Sequence, residues 1–142
     1  MVAMFCIRAL IERNKISDDL IAKKIRVEVY PKRTQKLMTR LNNHRIDELF
    51  NMERPTQRVL SLEFLCNQII HSYIIFPVRT DQRFTNLLVC SDYERNRHLY
   101  LVNVDTIVSV LREVGMNYPN AAQFIFDPAR MDYVVRSYYD IA

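Results

Sequence analysis

The 142-residue sequence contains a single glycine, Gly115. A glycine-rich phosphate loop of the Walker or dinucleotide type is therefore excluded, and any tight hairpin turn must draw on Asn or Asp instead. Lysine is missing from most of the chain, since all five lie at or before Lys36. Cysteine is sparse and odd in number, with Cys6, Cys66 and Cys90 far apart among apolar neighbours. That spacing predicts buried free thiols in a reducing compartment rather than a disulfide framework. Without a CxxC pair or a Cys/His cluster, no structural zinc site is expected. No apolar stretch approaches the roughly 18 residues of a membrane span. The apolar start, Met-Val-Ala-Met-Phe-Cys-Ile, is too short for a signal peptide. A soluble, intracellular (cytoplasmic) protein with no membrane partner is the expectation.

What the chain does have is an uneven cationic charge. Residues 1–71 carry 13 Lys/Arg against 8 Asp/Glu, whereas residues 72–142 carry 7 against 8. Between Lys23 and Arg45 there are eight basic residues (Lys23, Lys24, Arg26, Lys32, Arg33, Lys36, Arg40 and Arg45) and one acid, Glu28. Such a block points to a polyanionic partner, most simply nucleic acid. At 49% apolar and 25% charged residues the chain is ordinary globular material, long enough for one core or a core with an appendage.

Helical spacing of Val2, Phe5, Cys6, Ala9 and Leu10 predicts a first helix over 2–14. Ser17 as N-cap, with Asp18 and Asp19 in the first turn, predicts a second over about 18–26. Pro31 stops that run and can open another helix. On it Leu37, Met38 and Leu41 face inward, while Arg33, Lys36 and Arg40 recur at i, i+3 and i+7 as a cationic stripe. Thr34, Gln35, Thr39, Asn42 and Asn43 surround that stripe with the hydrogen-bonding side chains that read phosphates and base edges. A short helix over 46–52 and a longer apolar one over 56–72 follow.

The pattern then changes. Residues 73–78, 86–90 and 98–104 read as strands, the last two joined as an antiparallel hairpin. Asp105 is read as the cap of a helix that stops at Gly115, and Asp127-Pro128 as the opening of a last helix. The predicted fold class is α+β: an N-terminal bundle of about five helices, then a small antiparallel sheet and two C-terminal helices. The predicted division is a helical domain over 1–72 and a small α/β appendage over 73–142, with one continuous domain as the alternative.

Residues 5–70 resemble the helix-turn-helix domain of the lambda repressor and Cro family. Ile16 to Ile25 is similar to the start of its DNA-binding unit, with the small Ala22 where two helices approach. Pro55 and Ser61-Leu62-Glu63-Phe64-Leu65 resemble its closing helix. Arg26 stands in place of the usual turn glycine, and Val27 to Tyr30 lengthen the turn. The resemblance implies that Arg33, Thr34, Gln35, Lys36, Thr39 and Arg40 face a major groove, with Arg45 near a phosphate. Lys23 and Lys24 complete the predicted nucleic-acid surface.

The expected function is thus DNA binding, as a small transcriptional regulator whose 73–142 segment forms an oligomer or contacts a protein partner. In a winged-helix variant of this reading, the 86–104 hairpin carries Arg95, Arg97 and His98 at its tip. The alternative is a viral or phage structural or accessory interaction protein. No catalytic residue, metal site or cofactor is expected: His44, His71 and His98 lack ligand spacing, and no nucleophile signature is present.

Overall fold

The computed structural model describes residues 1–140. Its centre is a five-stranded antiparallel sheet, and this corrects the expectation of an N-terminal helical bundle. The elements in chain order are α1 (Val2–Glu12), α2 (Asp18–Ile21), β1 (Lys24–Pro31), α3 (Ile46–Leu49), β2 (Thr56–Ser61), α4 (Leu62–Ile70), β3 (Ser72–Thr80), β4 (Arg83–Ser91), β5 (His98–Asn103), α5 (Val104–Met116), β6 (Ala121–Asp127) and β7 (Asp132–Tyr138). The large sheet runs β2-β1-β5-β4-β3, so it draws strands from both sides of residue 72. Strands β6 and β7 form a separate hairpin.

Alternation along the strands builds two cores on opposite faces of this sheet. Ile25, Val27, Val29, Leu60, Val89, Tyr100 and Val102 pack against α1, α4 and α5 through Met4, Ile7, Leu62, Leu65, Ile69, Val110 and Val114. Their sequence neighbours Tyr30, Cys90 and Leu99, with Ile74, point the other way and meet Met38, Leu49 and Phe50. Strands buried on both faces read as continuous apolar runs, which periodicity alone does not separate from buried helix.

Four expected helical segments are corrected. The helix beginning at Asp18 ends at Ile21, because the β-branched run from Ile25 to Val29 enters the sheet between β2 and β5. The helix expected after Pro31, which was to carry Arg33, Thr34, Gln35, Lys36, Thr39 and Arg40, does not form. Side chains there take up the backbone groups that a helix would use. The Lys36 amide donates to Thr34 Oγ1 (2.9 Å), the Thr39 amide to Asn42 Oδ1 (2.7 Å), and Asn42 Nδ2 to the Leu37 carbonyl (3.0 Å). In the third case, residues 56–61 pair with β1, and the helix starts at Leu62, where Ser61 caps it by accepting the Phe64 amide at 3.1 Å. In the fourth, Asp127 caps a turn rather than a helix, accepting the Ala129 amide at 2.9 Å, and Tyr133-Val134-Val135 returns as β7.

The strands expected near 73–78, 86–90 and 98–104 are present as β3, β4 and β5. Asn103, not Asp105, caps α5, accepting the amides of Asp105 (2.8 Å) and Thr106 (3.3 Å). Gly115 lies within that helix rather than after it, with open space where a Cβ would stand. Of the three thiols expected to be buried, Cys66 and Cys90 are and Cys6 is exposed. Burial pushes the Cys66 thiol up to about 11 and the Cys90 thiol up to about 12. Among the described residues, no helix is long and apolar enough to cross a membrane.

Candidate functional site

The basic stretch divides into two places. Lys23 and Lys24 stand where β1 begins, and the loop from Lys32 to Arg45 leaves where β1 ends, more than about 20 Å along the strand. Lys23 is committed to α5: its ammonium meets both carboxylate oxygens of Glu113, at 2.5 and 2.7 Å. That ammonium, with help from the Ser109 hydroxyl, holds the Glu113 carboxyl below the usual range. Lys24 is exposed opposite Ser61. Arg45 lies near Glu48, at 3.7 Å.

Arg26 is exposed near the start of β1, opposite Val59. The other cations of the stretch lie in loop 32–45, which holds five basic residues and no acid. The loop is ordered because its backbone is tethered. Met38 is buried, and its amide donates to Asn96 Oδ1 at 2.8 Å. The Lys32 amide donates to the Arg97 carbonyl (3.1 Å) and the Arg33 amide to the Leu49 carbonyl (2.9 Å). Arg33, Gln35, Lys36, Thr39 and Arg40 are left exposed, with Thr34 half-buried and Leu37 and Leu41 projecting beside them.

Pairing of Pro31 with His98 brings a second loop, residues 92–97, alongside. It contributes cations that the linear reading did not join to the stripe. The guanidinium groups of Arg95 and Arg40 both lie over the Tyr73 ring, 4.5 and 5.8 Å from its centroid. Arg97 lies over Tyr93 at 4.6 Å. Planar guanidinium on an aromatic face is held in orientation while its edge stays free for an anion. Arg95 also reaches Asp92 at 3.3 Å and Arg97 reaches Glu94 at 3.8 Å, so their charge is partly offset. Arg33, Lys36 and Arg40 have no carboxylate within ion-pair distance among the described residues.

The 92–97 loop is fixed by a buried carboxylate. Glu94 accepts from the Tyr100 hydroxyl and from His98 Nδ1, both at 2.9 Å. The Arg58 guanidinium on β2 meets His98 Nε2 at 2.8 Å. The result is a chain of four side chains from β2 across β1 to the loop. Burial, then the bond to Glu94 and its charge, raise the Tyr100 hydroxyl well above the usual phenol value.

Between the two loops lies a cleft of about 290 Å³ lined by Lys32, Arg33, Thr34, Gln35, Leu37 and Asn96. A larger cleft, about 570 Å³, is lined by Phe64, Asn67, Gln68, His71 and Tyr93, but its cation, Arg8, is neutralised by Glu12 and Glu63. The smaller cleft is thus the more cationic of the two. Lys32 is at its floor. Its ammonium is hidden from solvent without a hydrogen-bond partner and stands 5.2 Å from the Phe50 ring centroid.

Burial lowers the Lys32 pKa, only partly opposed by nearby Cys90. Because folding favours the neutral amine, Lys32 destabilises the fold below its folded pKa, and the penalty fades as pH rises through that value toward about 10.4. Lys32→Met is therefore expected to raise stability by about 1 kcal/mol at neutral pH. In urea titrations at several pH values, that gain should shrink in alkali. A gain independent of pH would show that the ammonium is solvated.

Sequence reasoning found the loop's cations but left Lys32 out of the binding residues, and it missed Tyr73, Asn96 and the grouping with Arg95 and Arg97. Comparison of the chain with protein-family models, with curated proteins and with solved structures finds no match, so the reading of this cationic site rests on its own geometry.

Proposed function

We propose that the protein binds nucleic acid through the 32–45 loop, with the 92–97 loop beside it. The observation that carries this reading is a tethered 14-residue loop with five cations and no acid, whose Arg33, Lys36 and Arg40 are exposed and, among the described residues, free of carboxylates. An ordered cationic loop neutralises phosphates without a large entropic cost on binding. Thr34, Gln35 and Thr39 add donors and acceptors, and the exposed Leu37 and Leu41 supply apolar contact of the kind that wedges against bases. The loop takes the place of the recognition helix, and regulation of transcription belongs to this reading as the role that duplex DNA binding would serve.

A second reading, a non-enzymatic interaction protein that assembles with itself, is favoured by the hairpin β6–β7. It exposes Phe124, Phe126, Tyr133 and Tyr138.

The nucleic-acid reading is tested by fluorescence anisotropy with labelled duplex DNA, single-stranded DNA and RNA. The triple variant R33Q/K36Q/R40Q is expected to lose at least about tenfold in affinity at low salt for the preferred ligand. It should also flatten the slope of log K against log[salt] by about 2 to 3. K23Q/K24Q should change affinity far less. Equal losses in both variants would reduce the effect to net charge and overturn the assignment to this loop.

A further inference from the structure

The β6–β7 hairpin stands apart from the large sheet. Its attachment to the body is at one end: the Ser137 amide donates to Asp18 Oδ1 (3.2 Å), the Ser137 hydroxyl donates to the Asn14 carbonyl (2.9 Å), and Tyr118 and Asn120 meet Tyr139 and Asp140. Beyond that attachment both faces carry exposed apolar side chains, interleaved on one of them with Gln123, Asp132 and Arg136. Phe124, Phe126 and Tyr133 are exposed on one face, and Ile125, Val134 and Tyr138 on the other. Two strands alone are marginal in water, and an uncovered edge with apolar faces is a template for a further strand.

The direction of that edge can be read from two amides. Ser137 N–H points to Asp18, away from β6, and Tyr133 N–H is likewise taken outside the hairpin, by the Asp132 side chain at 2.7 Å. With the strand period of two, Val135 must face outward as well. Tyr133 and Val135 therefore present their N–H and C=O groups along the free edge of β7.

We infer that this edge pairs with the same edge of a second copy of the chain, antiparallel about a twofold axis through Val134. Only a register centred there lets the outward-facing residues Tyr133 and Val135 pair with each other across the axis. That register sets Asp132 opposite Arg136 of the other copy, Tyr133 opposite Val135, and Val134 opposite itself. Each of these is a favoured cross-strand pair: opposite charges, aromatic on β-branched, and β-branched on β-branched. It also takes up three open backbone groups on each copy, the Tyr133 carbonyl and both Val135 groups, while the Tyr133 N–H exchanges its Asp132 contact for the Val135 carbonyl of the other copy. Asp132 and Arg136 have no ion partner within the chain among the described residues, and both are exposed. The complementarity in charge is what selects a second copy over an unrelated strand. The interface so formed is isologous, as a twofold contact must be, and yields a continuous four-stranded sheet. The inference is independent of nucleic-acid binding and is measured without nucleic acid.

The test is sedimentation velocity of the full chain over a concentration series reaching the hundred-micromolar range, as the interface is small. Wild type is expected to dimerise. Asp132→Arg and Arg136→Asp, each alone, bring like charges face to face and should weaken the dimer at least about tenfold. The double variant D132R/R136D restores opposite charges in the same register and should recover it. Circular dichroism confirms that each variant is folded. A wild type that stays monomeric throughout would overturn the self-pairing and leave the edge to a strand from another protein. A dimer untouched by the single changes, or not recovered by the double, would overturn this interface.

Discussion

Phe50→Ala is expected to lower stability by about 3–5 kcal/mol, the cost of removing a fully buried aromatic side chain and leaving a cavity. Phe50 is the last residue before the chain turns toward β2, and its ring sits with Met38 and Leu49 against Tyr30, Ile74, Cys90 and Leu99. This second core lies under the cationic loop. The Lys32–Phe50 bridge and the Arg33 amide bond to the Leu49 carbonyl tie the loop's start directly to it. The effect should therefore be unequal across the molecule. Hydrogen exchange should accelerate more in residues 32–50 than in β1 and β5, whose other face packs on the helices. A loss below about 1 kcal/mol in urea unfolding would show that the loop does not close a real core over that face of the sheet.

Glu94→Ala should cost about 3 kcal/mol, enough to lower Tm by roughly 10 °C in a chain of this size. The Glu94 carboxylate is buried and takes hydrogen bonds from the Tyr100 hydroxyl and His98 Nδ1. Truncation strands the Tyr100 hydroxyl inside the fold, and a buried donor without an acceptor is costly. Tyr100→Phe removes the donor along with its need and should cost only about 1 kcal/mol. In the double variant the two effects should not add, because both report one bond. Simple additivity in thermal melts would mean that Glu94 is solvated and that the four-residue chain from Arg58 to Tyr100 is not a unit. Loss of Glu94 should also loosen Arg95 and Arg97, since its bonds fix their loop.

How far the sequence could be read depended on which residues neighbours in space decide. Strands β3, β4 and β5 were legible because Ile74-Ile75-Phe76, Leu87-Leu88-Val89 and Leu99-Tyr100-Leu101-Val102 are apolar runs too short for helices and bounded by polar turns. Helix α5 was legible from its one-sided apolar spacing; α1 forms where expected, but its buried residues are Met4, Ile7 and Ile11, and the face read from Val2, Phe5, Cys6 and Ala9 is exposed. Strand β1 carries the β-branched Val27 and Val29, yet the capping signals of Ser17, Asp18 and Asp19 extended the helical reading past its true end at Ile21. Strand β2 has one buried residue, Leu60, so no alternation marked it. Ahead of β7, Asp127-Pro128 gave a valid stop-and-start signal that the turn after β6 used instead.

The site shows the same division. Its charge was plain from Arg33, Lys36 and Arg40, because composition survives any change in secondary structure. Its geometry was not, because the helical stripe that seemed to align them does not form. Arg95, Asn96 and Arg97 join them only through the pairing of Pro31 with His98, a contact across 67 positions that no local pattern announces.

The most direct measurement is the affinity of the wild-type chain for labelled DNA and RNA as salt is raised from low to physiological strength. Binding at low salt, with log K falling against log[salt] at a slope of about −2 to −4, is expected from three or four neutralised phosphates. No affinity for any of these polyanions at low salt would contradict a phosphate-binding role for the 32–45 loop.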